Sequence, residues 1–273
     1  MEEVKIPDIQ KMANFQKLCV LSFVPLKRLE EKTNKPIGMA SGCIIFYKNS
    51  YWLLTVFHAV KDGSWLLEIK YENERQGVKG LLIPYSSFTF LKEIQFSDEL
   101  KERLKEGGIT VFQRFLNETS FLDFAYRKFS EEEILQLPPY YQEILPDRTI
   151  RYEEPRRVLH ADLSIKPQKE KRYGLAGFTM PQFDGYHLIQ NLTIETNLFF
   201  DEEKEPFYIF KLGKTHPGHE FYKGCSGAPI IDEEGNLVSL VVGGDRKNSV
   251  IFGINLFKYR IAIDVELEIE KTL

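Results

Sequence analysis

The six residues Gly224–Pro229, Gly-Cys-Ser-Gly-Ala-Pro, have the composition of a tight, exposed turn that presents a short side chain. A glycine at 224 lets the backbone approach a reacting group, so the amides of Gly224 and Ser226 are candidate donors to an oxyanion. A serine hydroxyl is a poor nucleophile at neutral pH unless a base accepts its proton and a carboxylate orients that base. Ser226 is therefore a candidate nucleophile, provided that the chain supplies both partners.

Candidate partners for Ser226 lie next to two apolar segments. Residues 41–60 have the pattern of two apolar strands joined by a polar Lys-Asn-Ser turn, and His58 directly follows the second strand. Asp123 lies among apolar neighbours, where an unpaired charge would be costly. Because a histidine N–H is a suitable donor to such an acid, the pattern predicts His58 as the base and Asp123 as its orienting partner.

The order of these candidates along the chain, histidine then aspartate then serine, resembles that of the trypsin-like serine peptidases of the chymotrypsin fold (PA clan). In that family Thr-x-x-His-x-Val carries the base, Asp-x-Ala-apolar the acid and Gly-x-Ser-Gly-x-Pro the nucleophile. The matching segments here are Thr55–Val60, Asp123–Tyr126 and Gly224–Pro229, and the resemblance spans roughly residues 17–260. It implies a serine endopeptidase that works through an acyl-enzyme, with a backbone oxyanion hole and without a cofactor or a metal.

The resemblance also implies the fold class, which is all-β with two six-stranded antiparallel Greek-key barrels and short helical insertions. We expect an N-terminal barrel over residues 1–150, carrying His58 and Asp123, and a C-terminal barrel over residues 151–273, carrying Ser226. The content of 43% apolar residues, 21 phenylalanines and 13 tyrosines favours β structure over disorder.

Three segments depart from a simple β pattern. A serine N-cap candidate and a glycine stop predict a helix over residues 96–107, and a second short helix is predicted over residues 130–135. The alternation of apolar and polar residues over residues 261–270 predicts a strand. The family resemblance implies a helix at that place instead, and the sequence leaves the two interpretations open.

Composition and charge argue against several classes of protein. The net charge of −4 disfavours nucleic acid as a partner. No apolar run approaches the roughly 18 residues that a membrane helix needs, and the first residues lack the order of a secretory signal. The three cysteines are unpaired in spacing and predict a disulfide-free protein in a reducing compartment, the cytoplasm. His216 and His219 are the one close histidine pair, and we expect no metal site there.

The residues that would bind the substrate are predicted from their position relative to Ser226. Counted without a gap, Glu220 lies at the position of the pocket floor in the trypsin branch, where an acid would favour Lys or Arg. Alternatively Glu220 is an exposed loop residue, and Phe221 or His219 lines the pocket. The same count predicts a strand segment that binds substrate backbone, comprising Val242, Gly243 and Gly244.

Cys225 leaves two further questions. Viral relatives of this fold use a cysteine nucleophile, so its thiol is a minor alternative to Ser226. In the zymogen-type branch an aspartate occupies this position, and its absence predicts that N-terminal cleavage does not activate the chain. We expect a peptide or protein substrate, and a regulatory protein partner stays open. The alternative function is a latent or inactive trypsin-like module that binds peptides or a partner protein, in a stress or defence system.

Overall fold

The computed structural model describes residues 6–71, 78–90, 123–130, 132–133, 141–145, 148–152, 158–184, 187–204, 206–218 and 220–272. Within these ranges the chain is mostly β, with one half-barrel and one closed barrel, and the predicted chymotrypsin-like double barrel is confirmed. The predicted helix over residues 96–107 lies outside the described residues. Of the second predicted helix, residues 132–133 are helical and residue 130 is not, while residues 131, 134 and 135 lie outside the described residues.

The first half of the chain forms a sheet of eight strands, in the order β5-β4-β1-β2-β3-β7-β6 with β10 paired to β2. A separate two-stranded sheet pairs β8 with β9. The first ten strands are β1 (Val24–Leu29), β2 (Pro36–Tyr47), β3 (Ser50–Thr55), β4 (Ser64–Tyr71), β5 (Val78–Pro84), β6 (Thr89–Phe90), β7 (Ala125–Lys128), β8 (Tyr141–Leu145), β9 (Arg148–Tyr152) and β10 (Leu159–His160). The predicted division at residues 150 and 151 falls within β9 and stays a prediction.

The β2–β3 hairpin is the one expected from the sequence. Its strands pair antiparallel from Cys43 opposite Leu54 to Tyr47 opposite Ser50. Lys48 and Asn49 form the connection, with φ values of +47° and +61°. Positive φ at both central residues is typical of the two-residue turn whose twist matches that of paired strands.

The second half of the chain forms a closed barrel in the strand order β11-β12-β13-β16-β15-β14. Its strands are β11 (Arg172–Asp184), β12 (His187–Lys204), β13 (Phe207–Leu212), β14 (Pro229–Asp232), β15 (Leu237–Asp245) and β16 (Val250–Ile254). Buried aromatic and aliphatic side chains fill its interior, among them Tyr173, Tyr208 and Phe210. The predicted nucleophile turn directly precedes β14.

In the described part of the chain, the sheets are accompanied by the helices α1 (Ile6–Ser22), the short α2 (Phe57–Val60) and α3 (Leu256–Thr272). The alternation over residues 261–270 therefore does not form a strand, and the helix implied by the resemblance is present. Asn255 precedes α3, and its side-chain oxygen accepts a hydrogen bond of 3.3 Å from the Lys258 amide. Tyr259, Ala262 and Ile263 are buried at the i, i+3 and i+4 spacing of one helix face.

A continuous apolar cluster joins the two barrels. It contains side chains of α1, of both sheets and of α3. Phe23, the residue directly after α1, and Phe178 of β11 pack edge to face with ring centroids 5.4 Å apart. The cluster includes Leu54 of β3, Tyr126 of β7 and Ile231 of β14, so these strands of the two sheets share one core.

Candidate active site

His58 is placed by the first sheet. It lies in α2, which follows β3 after the single residue Val56 in extended conformation. Strand β3 pairs with β7, with Thr55 opposite Ala125, so the residues just before β7 come next to α2. Asp123 is therefore a neighbour of His58, although 65 positions separate the two residues in the sequence.

Asp123 contacts His58 with both carboxylate oxygens. Its Oδ2 lies 2.6 Å from Nδ1 of His58, and its Oδ1 accepts the His58 backbone amide at 2.8 Å. Asp123 is 7% exposed, as the apolar sequence around it predicts. In the tautomer with the proton on Nδ1, the Nδ1–H group donates a hydrogen bond to the carboxylate, and Nε2 is left as a hydrogen-bond acceptor.

The Nε2 atom of His58 faces Ser226. The distance from Nε2 to Ser226 Oγ is 3.0 Å. The His58 side chain is 41% exposed, so solvent reaches this contact. The structure thus brings together the three side chains that the sequence analysis selected, in hydrogen-bond contact and in the order acid, imidazole, hydroxyl.

Two residues that the sequence analysis did not select attach the nucleophile turn to the first sheet. Ser41 of β2 donates its amide to the Ser226 carbonyl at 2.8 Å and its hydroxyl to the Gly224 carbonyl at 2.9 Å. Thr55 in turn donates its hydroxyl to the Ser41 carbonyl at 2.7 Å. Thr55 belongs to the Thr-x-x-His motif, whereas no sequence signal marks Ser41.

The turn itself consists of two successive hydrogen-bonded turns. The Cys225 amide donates to the Tyr222 carbonyl at 2.9 Å, and the Ala228 amide donates to the Cys225 carbonyl at 2.8 Å. Gly224 and Gly227 occupy the third positions with φ values of +106° and +86°. A positive φ at that position is the mark of a type II turn and favours glycine.

Gly224 and Ser226 have the arrangement expected of oxyanion-hole donors. Within the described part of the chain, no acceptor takes a hydrogen bond from either backbone N–H group, whereas the intervening Cys225 amide is paired. A Cβ at position 224 would lie 2.5 Å from the Phe178 carbonyl oxygen, so the turn requires glycine there. Two unpaired amides beside a nucleophilic oxygen can stabilise an alkoxide that forms on the substrate.

The thiol of Cys225 points into the second barrel. Cys225 is fully buried, and its sulfur would lie 2.9 Å from a Cβ placed on Gly177 of β11. Burial, aided by the charge of Glu195, raises the pKa of Cys225 to about 12. A protonated, buried thiol is a poor nucleophile, so the structure disfavours Cys225 as an alternative to Ser226.

The predicted substrate-binding strand has one open edge. Gly243 and Gly244 of β15 pair with Phe252 and Ile251 of β16. On the other side β14 pairs with β15 only as far as Leu240, and Val241 bonds to Gly227 and Ala228 just before β14. Among the described residues, Val242, Gly243 and Gly244 therefore have no partner strand there. Space beside Gly243 is open, since no atom lies within 4 Å of a Cβ placed there.

The remaining specificity candidates are placed less completely. Glu220 is the first residue of the 3-10 turn Glu220–Tyr222, and its role at the floor of the specificity pocket stays a prediction. His219 lies outside the described residues. His216 is buried, with its ring centroid 4.9 Å from that of Tyr222 and its Nδ1 accepting the Gly218 amide. Among the described residues no three His, Cys, Asp or Glu side chains form a group that could hold a metal ion.

Comparisons with known proteins locate the fold. No protein-family model and no curated sequence matches the chain. Human heparin binding protein is 13% identical to this chain with a TM-score of 0.50, and the match covers 88% of this chain and 89% of the heparin binding protein. The scabies mite inactivated protease paralogue S-D1 is 10% identical with a TM-score of 0.50, covering 93% and 94%.

A serine endoprotease from Yersinia pestis is 12% identical with a TM-score of 0.48 and matches 94% of this chain. The chain spans 65% of the length of that protease. At such identities the likeness establishes the fold alone. The two structures with a TM-score of 0.50 support the chymotrypsin-like double barrel, which in this chain consists of one half-barrel and one closed barrel.

Among the residues described by the structure, no helix combines the length and the apolar character needed to cross a bilayer.

Proposed function

We propose that the protein is a serine endopeptidase with His58, Asp123 and Ser226 as its catalytic triad. The observation that carries the proposal is the continuous contact from Asp123 through His58 to Ser226, with distances of 2.6 Å and 3.0 Å. The supporting turn and its two unpaired amides surround the same hydroxyl. This combination of nucleophile, base, orienting acid and oxyanion donors fits acyl transfer.

In the proposed reaction, His58 Nε2 accepts the proton of Ser226 as the hydroxyl oxygen attacks a peptide carbonyl. Asp123 keeps the proton on Nδ1 and stabilises the imidazolium that forms. The amides of Gly224 and Ser226 stabilise the tetrahedral oxyanion, each by about 3–4 kcal/mol. The imidazolium then protonates the leaving amine, and a water molecule activated by His58 hydrolyses the acyl-enzyme.

The substrate backbone is proposed to bind along the open edge of β15. An extended peptide beside Val242, Gly243 and Gly244 would add a strand to the barrel, with backbone hydrogen bonds that are independent of its sequence. The open space beside Gly243 leaves room for substrate side chains. Glu220 remains our candidate for the pocket floor, with a preference for Lys or Arg.

We also propose that the protein acts in a reducing compartment such as the cytoplasm. Cys19, Cys43 and Cys225 are free and buried, and burial raises the pKa of each thiol. Structural thiols of this kind persist without forming disulfides where the environment keeps cysteines reduced.

Digestion of a peptide library, read out by mass spectrometry, tests the proposed activity. The wild-type chain should cut peptides, and Ser226→Ala should reduce the rate by about five to six orders of magnitude. Ser164→Ala is a matched control, since Ser164 is exposed and its hydroxyl contacts only Asp162 among the described residues. Cleavage that persists in Ser226→Ala would refute the triad, and binding without cleavage by the wild type would favour the alternative peptide-binding module.

A further inference from the structure

The turn Tyr222–Cys225 determines where the Gly224 amide points. Its central peptide joins the Lys223 carbonyl to the Gly224 N–H group. Type I and type II turns share their end-to-end hydrogen bond but differ by a flip of this central peptide. The φ of +106° at Gly224, with no positive φ at Lys223, identifies type II, and a change to type I would turn the Gly224 N–H away. Contacts that hold the turn in type II would therefore also hold the Gly224 N–H group in the direction expected of an oxyanion donor.

The first residue of this turn is anchored by a buried carboxylate. The Tyr222 hydroxyl donates to Oε1 of Glu195, on β12, at 2.9 Å. The same oxygen lies 2.6 Å from Nζ of Lys214, in the segment that follows β13. The Tyr222 ring is itself buried and packs edge to face against the rings of His216 and Phe221. Tyr222 is thus held at its hydroxyl, at its ring and at its backbone carbonyl.

The position of Glu195 is costly and is not explained by the proposed triad. Glu195 is 6% exposed and lies on a strand of a barrel whose interior is apolar. A carboxylate at such a place is tolerated only when it is paired and hydrogen-bonded. Lys214, half-exposed at the surface, supplies the counter-charge, and Tyr222 supplies the hydrogen bond.

The Tyr222 hydroxyl is chemically suited to this contact. Burial, together with the negative charge of Glu195, raises the pKa of Tyr222 above its usual value. The hydroxyl therefore stays protonated at neutral pH and is available as the donor to Glu195.

We propose that Glu195 and Lys214 are positioning residues, which hold Tyr222 and through it the type II turn that presents the Gly224 amide. The pathway runs from the Lys214–Glu195 ion pair to the Tyr222 hydroxyl, and from the Tyr222 carbonyl to the Cys225 amide. None of these side chains touches the reacting atoms. The catalytic consequence of this arrangement rests on the proposed function, whereas its effect on the turn does not.

A KM-against-kcat comparison tests the catalytic consequence. Tyr222→Phe should lower kcat by about 10- to 100-fold, less than the loss of a whole oxyanion donor, and leave KM within about twofold. Glu195→Gln keeps an acceptor for Tyr222 and should retain more activity than Glu195→Leu. Tyr173→Phe is the matched control: it removes a buried tyrosine hydroxyl that bonds to Gln168 in the same barrel, and should leave kcat unchanged.

NMR of the Gly224 amide tests the same proposal without any activity. Lysine labelled with 13C at its carbonyl and glycine labelled with 15N restrict the correlated signals to Gly80 and Gly224, which both follow a lysine. Tyr222→Phe and Glu195→Leu should shift or split the Gly224 signal and leave that of Gly80 unchanged. Tyr173→Phe should change neither signal.

The two measurements separate the possible failures. A Gly224 signal that is unchanged in Tyr222→Phe and Glu195→Leu would overturn the positioning role, whatever the activity. If the wild type cleaves nothing, the proposed function fails, and a split Gly224 signal still supports the anchor. If Glu195→Leu prevents folding, Tyr222→Phe removes the same hydrogen bond by the loss of one hydroxyl and gives the same readout.

Discussion

At the scale of single residues, the contacts of Asp123 restrict His58 to one ring orientation and one tautomer. Both carboxylate oxygens are occupied, one by Nδ1 and one by the backbone amide of the same histidine. To act as the base, His58 must direct a lone pair of Nε2 at the hydroxyl proton of Ser226. In the neutral ring Nε2 has that lone pair only when the proton is on Nδ1. Asp123 therefore holds His58 in the orientation and tautomer that the proposed reaction requires.

Asp123→Asn should preserve the fold and remove most of the activity. The asparagine side chain has nearly the same shape, but its NH2 group cannot accept a hydrogen bond from the Nδ1–H group of His58. It therefore favours the tautomer with the proton on Nε2, which cannot act as the base. We expect kcat to fall by about four orders of magnitude, measured at pH 7 on a peptide substrate. Asp62→Asn, at an exposed ion pair with Arg28, is the control and should retain wild-type kcat. Equal rates for both variants would contradict the role of Asp123.

Gly227 is required by the backbone and by its surroundings. Its φ is +86°, and a Cβ would lie 2.0 Å from the Ser41 carbonyl oxygen and 2.3 Å from Thr55 Oγ1. Gly227→Ala should therefore lower the free energy of unfolding by at least about 2 kcal/mol, by strain and by displacement of the turn. Gly243→Ala, with open space around it, should change stability by less than about 0.5 kcal/mol in the same urea titration.

At the scale of elements, the hairpin from β14 to β15 depends on a buried aspartate. Asp232 accepts hydrogen bonds from the amides of Glu234 and Asn236, from the Asn236 side chain and from Lys171. Burial alone would raise the pKa of Asp232, but the hydrogen bonds from Asn236 and Lys171 outweigh it and hold the pKa below its usual value. Because β14 directly follows the turn that carries Ser226, the stability of this hairpin also affects the position of that turn.

Stability should depend on pH through Asp232. Because its pKa is lower in the folded state, the ionised carboxylate stabilises the fold above its unfolded pKa of about 3.9. That contribution is lost as the pH falls through the lower, folded value. Asp232→Asn should cost about 2 kcal/mol at pH 7 and progressively less below about pH 4, measured by urea unfolding at both pH values. Exposed Glu233→Gln is the control, and a cost for Asp232→Asn that is independent of pH would contradict the account.

At the scale of the whole molecule, each terminal helix packs on the barrel distant from it in sequence. Helix α1 contacts β11, β12 and β14 of the second barrel. Helix α3 contacts the half-barrel, where Tyr126 donates to the Ala262 carbonyl at 3.2 Å and Tyr47 donates to Asp264 at 2.9 Å. Because the residues of the proposed triad are divided between the barrels, we expect these helices to stabilise their relative positions.

Phe15→Ala tests the contribution of α1. Phe15 is 4% exposed, and it fills the space left by Gly174 of β11. The cavity should cost about 3–5 kcal/mol in the free energy of unfolding. Ile9→Ala on the same helix is the control, since Ile9 is 57% exposed and should change stability by less than about 0.5 kcal/mol. Similar small effects for both variants would show that α1 contributes little to the double barrel.

The sequence supported the parts of this molecule that depend on local pattern. The β2–β3 hairpin follows from its apolar runs and polar turn, and the triad candidates follow from three short motifs. Ser41 could not be selected, because its contact with Gly224 joins residues 183 positions apart. Glu195 was missed for the same reason, since nothing near it in the sequence indicates a buried carboxylate. The period-two pattern of α3 was misleading because the helix is covered on more than one side.

Labelling with a fluorophosphonate probe, followed by peptide mapping, tests the central claim most directly. The probe reacts with a serine only when a base and an oxyanion hole activate it. We predict a single label on Ser226 in the wild type, which is lost in His58→Ala while the variant stays folded. A folded wild-type protein that takes no label at Ser226, or a label that persists in His58→Ala, would contradict the proposed triad.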